Sequence, residues 1–432
     1  MAFEPYVRTQ MLDPKPAPVT SVGPAGWLKR NLFDGPGNSV LTLVTMVAIF
    51  LLLAHLLPWM FLSVWNADSL AECRQIIDET YGLDHSGACW AVIHDRFFQL
   101  VYGFYPSELY WRPNLTFVLM LVALAPVLFT HLPRKMMIFS ALFPFIGAWL
   151  LWGGSIWTPL AALAGFALGG AAYRYGSAVN GILAIAAAVL VPVIWWIFLM
   201  GPIARGLHAV IPLGIEVVES NQFGGFMVSI VIGITAITLS LPLGIMLALG
   251  RQTNLFIVRA FSVGFIEFIR GVPLITLLFV ASTLLNYFMP PGTNFDLVVR
   301  VIIMATLFSS AYIAEVIRGG LAALPKGQYE AADSLGLDYW QAQRLIIMPQ
   351  ALKIAIPGIV STFIGLFKDT TLVSIIGILD PIGLSNAIRA DNAWNGIYWE
   401  LFVFIGFVFF IFCFSMSRYS MYLERKLNTG HR

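Results

Sequence analysis

The chain has 432 residues, 59% of them apolar and 11% charged, with 25 Lys and Arg against 23 Asp and Glu. Soluble domains carry about 25% charged residues, so this composition excludes an ordinary soluble enzyme and reads as an integral membrane protein. A net charge of +2 argues against a nucleic-acid partner, and six His with three Cys are too few and too scattered for a metal site.

Residues 1–38 are polar and carry Pro14, Pro16, Pro18, Pro24 and Pro36, the composition of an unpacked cytoplasmic tail. The apolar run Val40–Leu62 lies too far in and is too long for a cleaved signal peptide, so it stays as an anchor. A polar, aromatic-rich loop follows at 66–114 and holds Cys73 and Cys89. An oxidising compartment permits a bridge between them, but sequence alone leaves their separation open.

Next come Leu115–Thr130, Met136–Trp152 and Pro159–Tyr173, each shorter than the roughly 20 residues a span needs. The last two read either as two spans or as one re-entrant hairpin. Gly181–Met200 is a clear span, and IARGLHAVIPLGIEVV (Ile203–Val218) reads as an amphipathic helix on the outer interface. Phe223–Leu249, Val272–Met289, Val298–Ile317, Ile354–Leu379 and Ile397–Met416 complete an all-α protein of 8–10 spans. Arg300, near the outer end of its span, reads either as lining the external vestibule or, more simply, as an interfacial anchor.

Positive residues set the orientation. With the N-terminus inside, the 66–114 loop is external and holds only Arg74, Arg96 and Arg112 against seven acidic residues. The internal side collects Arg134, Lys135, Arg251, Arg259, Arg318, Lys326, Arg344, Lys353 and Arg418 among others. Both termini then lie in the cytoplasm. The chain divides into an N-terminal membrane region, 39–202, and a five-span unit, 220–424, with no convincing internal repeat.

Within the second unit, the loop 319–353 contains QYEAADSLGLDYWQAQRLIIMP (Gln328–Pro349) between two apolar runs. Glu330, Ala331 and Ala332 favour helix, Gly336 breaks it, and a second helical run from Tyr339 ends where Pro349 forbids continuation. Glu330, Ser334 and Leu335 fall within about a turn of one another. Ala331 and Ala332 permit close approach, Tyr339 and Trp340 offer aromatic bulk, and Arg344 adds a cation. The alternative is an amphipathic helix with Tyr and Trp in the headgroup belt.

Lys368-Asp369, followed by Thr370 and Thr371, interrupts an apolar run. A charge at the bilayer centre costs about 3 kcal/mol or more. Adjacent residues on a helix point about 100° apart, so each charge needs a partner elsewhere. They read either as part of a pathway for a zwitterion or as an interhelical lock. Glu267/Arg270 and Glu315/Arg318 share the order Glu, then Arg three residues on, then Gly, which suits local salt bridges at an inner gate. There is no G-x-x-x-x-G-K-[ST] motif and no catalytic constellation, so any ATP is hydrolysed elsewhere.

FIEFIRGVPLITLLF (Phe265–Phe279), AYIAEVIRGGL (Ala311–Leu321), PKGQYEAADSLG and FIGLFKDTTLVSIIG (Phe363–Gly377) together resemble the permeases of polar amino-acid ABC importers. The Glu330 loop resembles their EAA coupling loop, with Met348 where Leu is usual. The extension, with its GACW loop (Gly87–Trp90), is similar to one of the two permeases of general L-amino-acid importers of Gram-negative bacteria, the longer one. The resemblance implies a type I importer transmembrane domain in the bacterial inner membrane and a heterodimer with a second permease. It also implies two ATPase subunits that bind ATP and Mg, and a periplasmic binding protein. A self-contained ion-driven secondary transporter is the rival reading; it leaves the cytoplasmic helix–turn–helix unexplained.

Overall fold

The computed structural model describes residues 23–82, 86–129, 131–284, 287 and 296–427. It forms two compact units, Met1–Ala91 and Val92–Arg432, a division that falls inside the 39–202 region. Residues 1–22 of the expected tail lie outside the described residues, as do Thr130 and parts of the 66–114 loop and of Val272–Met289.

In the first unit, helices α1 (Gly23–Leu32) and α2 (Pro36–Phe61) replace unpacked tail from residue 23 onward. Gly35, at φ 103°, turns the chain, and Pro36 sits in the first helical turn, where its missing N–H costs nothing. No residue of α2 is buried. A helix apolar on every side and uncovered by its own chain suits lipid. Helix α3 (Leu70–Tyr81) starts at Ser69, whose side chain accepts from the Glu72 N–H at 3.2 Å, while the Glu72 carboxylate accepts from the Asp68 N–H at 2.8 Å. Cys73 and Cys89 are joined, with S–S 2.07 Å and Cα atoms 6.1 Å apart.

The second unit opens with α4 (Ala91–Tyr102), α5 (Trp111–Leu128), α6 (Met136–Trp152), α7 (Trp157–Gly176), α8 (Gly181–Ile194) and α9 (Met200–Val210). Helices α8 and α9 join through a π-helical turn at Trp195–Leu199 into one span, Leu183–Val210. Residues from Ile203 therefore extend a span and do not form a separate surface helix. Beyond it, Gly214–Ile215 pairs antiparallel with Gly154–Ser155.

The remaining helices are α10 (Gly225–Gln252), α11 (Phe256–Gly271), α12 (Leu274–Phe279), α13 (Leu297–Ala322), α14 (Lys326–Ser334), α15 (Tyr339–Ala342), α16 (Met348–Asp369), α17 (Pro381–Ala390) and α18 (Trp399–Leu427). Helix α10 lies along α13, and α13 along α16. In lipid such packing rests on close fit rather than on water exclusion. Gly244 and Gly358 provide it, since a Cβ on either would come within 2.6 Å of Ile313 and Val316 respectively.

Among the described residues, seven helices are long and apolar enough to span, or eight if the pair α11 and α12, bent by 103°, is one broken span. Met136–Trp152 is apolar but has only 17 residues. Helix α7 has 20 residues but is diluted by Gly165, Gly169 and Gly170. The bend lies at Val272-Pro273, where Val272 is extended (φ −109°, ψ 132°), as a residue before proline prefers. The apolar run from Val272 is thus the second arm of a broken element.

Candidate functional site

The Glu330 loop is built by local backbone chemistry. Helix α14 ends on a paired cap: Leu337 donates its N–H to Ala332 O at 3.3 Å, and Gly336 to Asp333 O at 2.9 Å. This geometry puts Gly336 at φ +68°, a conformation that glycine adopts without penalty. Asp338 then accepts from the Gln341 N–H at 2.8 Å and Gln341 returns the bond to the Asp338 N–H, starting α15. A Gln328–Gln350 bond of 2.8 Å closes the loop.

The result leaves Leu335 (72% exposed), Tyr339 and Trp340 (69% exposed) uncovered, with Glu330, Ala331, Ser334 and Arg344 also exposed. Ala332 is 1% exposed and faces inward, so only Ala331 of the alanine pair is open to a partner. Pro349 does not end the second helix. The chain passes through a π-helical turn at Gln343–Ile347, and Pro349 sits in the first turn of α16, where no N–H is required. Sequence reading missed Gln343, which that turn buries with its Oε1 unpartnered.

The expected local pair Glu267–Arg270 is absent. Glu267 instead bonds Arg251 at 3.1 Å, and the same guanidinium reaches Glu315 at 3.1 Å. Glu315 also holds Arg318, three residues on, with Nε–Oε1 2.7 Å, and Arg270 at 3.8 Å. Arg270 lies over the Tyr312 ring, 5.6 Å from its centroid. Arg251, at the end of α10, thus ties α11 to α13. Only a folded pairing of helices brings both carboxylates to it. Arg300, read as an anchor, is buried and donates to Ser282 O at 2.8 Å.

Helix α16 ends at Asp369 and tightens into a 3-10 helix, Thr370–Ile376, closed by Gly377 at φ 90°. Thr370 and Thr371 donate to the carbonyls of Phe367 (2.7 Å) and Lys368 (2.8 Å). Asp369 lines a cavity of ≈ 10 Å³ between Ile232, Leu278, Val301, Leu366 and Thr370, at the lower limit for one water. Lys368 is exposed and does not line the cavity. Neither charge makes an ion pair among the described residues, so no interhelical lock exists within this chain there. No group of three His, Cys, Asp or Glu suited to a metal occurs among the described residues.

The described residues thus form a helical membrane unit with an exposed helix–turn–helix loop. Residues 240–429 match the family "Binding-protein-dependent transport system inner membrane component". The chain is 57% identical to the glutamate/glutamine/aspartate/asparagine transport system permease protein BztC of Rhodobacter capsulatus over 100% of both chains. It is 41% identical to the inner membrane amino-acid ABC transporter permease protein YhdY of Escherichia coli over 96% of each. A crystal structure of an amino acid ABC transporter with histidines shares 30% identity over 46% of this chain and 90% of that one, with TM-score 0.42. The chain belongs to the permease subunits of amino-acid ABC transporters. Relatives spanning the whole chain are of this kind, so the secondary-transporter reading is set aside.

Proposed function

We propose that this subunit pairs with a second, related permease in the bacterial inner membrane and carries polar L-amino acids from periplasm to cytoplasm. The observation that carries the reading is the apolar surface of Leu335, Tyr339 and Trp340, held outward by the Gly336 turn. Such a patch suits a pocket on a separate cytoplasmic ATPase. Two ATPase subunits bind ATP and Mg and hydrolyse the nucleotide; a periplasmic binding protein delivers substrate; this chain needs no cofactor and performs no catalysis.

In this reading 220–424 is the permease core and 319–353 its coupling loop, while 39–202 is an accessory membrane region. Asp369, Lys368, Thr370 and Thr371 belong to the substrate pathway, and the Arg251, Glu267, Arg270, Glu315 and Arg318 cluster to the inner gate. Counting the bent pair as one span gives eight. The hairpin of α6 and α7 adds none or two, so both termini share the cytoplasmic side. The name of the 57% identical relative supports acidic amino acids and their amides as cargo.

The test is purification from mild detergent with the neighbouring subunits. The ATPase is expected to co-purify with the parent chain and to be lost with Leu335→Asp and Trp340→Asp together, while the second permease stays bound. Full ATPase retention by the double variant overturns the coupling assignment.

A further inference from the structure

The α4 segment is stitched by backbone to the start of α10. A Cβ on Gly103 would lie 2.4 Å from Gly224 Cα, and one on Gly224 would lie 2.8 Å from Leu379 O. Phe104 donates to Gln222 O at 3.1 Å, and Gly225 to Leu379 O at 2.8 Å. Three backbones thus run side by side, and only glycine fits between them. Leu379 follows the 3-10 helix that begins at Thr370, on the wall of the Asp369 cavity.

Side chains grip the same end. Arg96 bridges Asp95 (2.9 Å) and Asp391 (3.0 Å), and the fully buried Trp394 donates to Asp95 at 2.8 Å. Trp152, at the end of α6, donates to Asp296 Oδ2 at 3.0 Å, and the other oxygen of Asp296 caps α13 through the Val299 N–H. Tyr102, Tyr105, Leu151 and Val218 share one buried cluster with the cavity residues Ile232, Leu278, Val301 and Leu366. At the opposite end of α5, Tyr419 donates to Leu128 O and meets the Phe129 ring edge-on, 6.2 Å between centroids.

We propose that α4 and the Trp152 turn form a static brace that holds the outer end of the Asp369 cavity shut in the resting permease. The proposal rests on the orientation given above. Close backbone contact and full burial at the junction favour a fixed element over a moving one. In this role α4 and the Trp152 turn hold the start of α10 and of α13 and the segment after Thr370 in place while the outer mouth is closed, with Asp95, Arg96, Gly103 and Trp152 as positioning residues.

The test uses the reconstituted full complex with Cys413→Ala, the Cys73–Cys89 bridge intact, and Thr370→Cys as reporter. A membrane-impermeant maleimide is added from the outer side, and Asn221→Cys in a separate variant marks that side. Labelling of Thr370→Cys is expected to be slow in the braced protein and at least tenfold faster with Gly103→Val. Trp152→Phe, which keeps an aromatic ring beside Phe223 but removes the pyrrole ring and its N–H, is expected to raise the rate several-fold without loss of subunits. Unchanged labelling in Trp152→Phe complexes and in any assembled Gly103→Val complex overturns the brace. Reaction of Asn221→Cys only from the opposite side overturns the orientation, a separate and recognisable failure.

Discussion

Arg251 and Glu315 stand 64 positions apart in the chain, yet Nη1 and Oε2 lie 3.1 Å apart. Glu315 receives three guanidiniums, whereas Glu267 receives one and is 55% exposed. Half-exposed pairs contribute about 0–1 kcal/mol each, so the number of partners decides the ranking. Glu315→Gln is expected to lower the apparent unfolding temperature of the complex more than Glu267→Gln. Thermal scans at one rate check this; equal effects or the reverse order remove Glu315 as the hub.

Gly336 offers a separable test of coupling. A Cβ there meets nothing within 4 Å, so the only penalty is conformational, at φ +68°. A β-branched residue in that region costs of the order of 1–3 kcal/mol. Gly336→Val is expected to insert normally but lose transport and substrate-stimulated ATP hydrolysis. Gly336→Asn, which tolerates the left-handed region, is expected to keep both. Uptake in proteoliposomes decides; normal transport by the Val variant removes the turn from the mechanism.

Asp380 gives the fold a pH dependence. It is fully buried, caps α17 through the N–H groups of Ile382 and Gly383, and its carboxyl is pushed up to about 6 by burial. The unfolded chain releases that proton near 3.8. Between these values the folded state holds more protons, so this group's contribution to stability falls as pH rises from about 4 to about 6 and is flat above. A shift of about two units corresponds to about 3 kcal/mol at most. Asp380→Asn keeps a capping oxygen and is expected to abolish the slope. Parallel parent and variant slopes between pH 4.5 and 7 contradict the assignment.

Apolar runs made most spans legible, because a helix facing lipid must be apolar over its full length. The Gly336 turn was legible too, since it acts through neighbours within a few residues, whereas the cap formed by Asp338 and Gln341 went unread. What stayed hidden depends on distant contacts. Arg251 looked like one more internal cation until two helices brought carboxylates to it. Pro349 looked like a terminator until a π-helical turn at Gln343–Ile347 carried the chain into the next helix. The Gly103–Gly224–Leu379 junction joins three segments that share no sequence signal.

Lys368 and Asp369 carry the sharpest test of the pathway. Asp369 lines the small apolar cavity, Lys368 is exposed and does not line it, and neither is ion-paired among the described residues. Removing a charge that has no partner leaves nothing newly orphaned, unlike the breaking of a buried pair, which costs about 3–5 kcal/mol. Asp369→Asn is therefore expected to give a complex at least as stable as the parent but with uptake reduced tenfold or more. Lys368→Met is expected to leave this chain's fold intact; if its ammonium meets the second permease, less of that subunit co-purifies, and Lys368→Arg restores it. Thermal stability, subunit content and uptake on the three variants separate the roles. Parent-level uptake by Asp369→Asn excludes the carboxylate from the pathway, and a destabilised Asp369→Asn complex reveals a structural bond to another subunit.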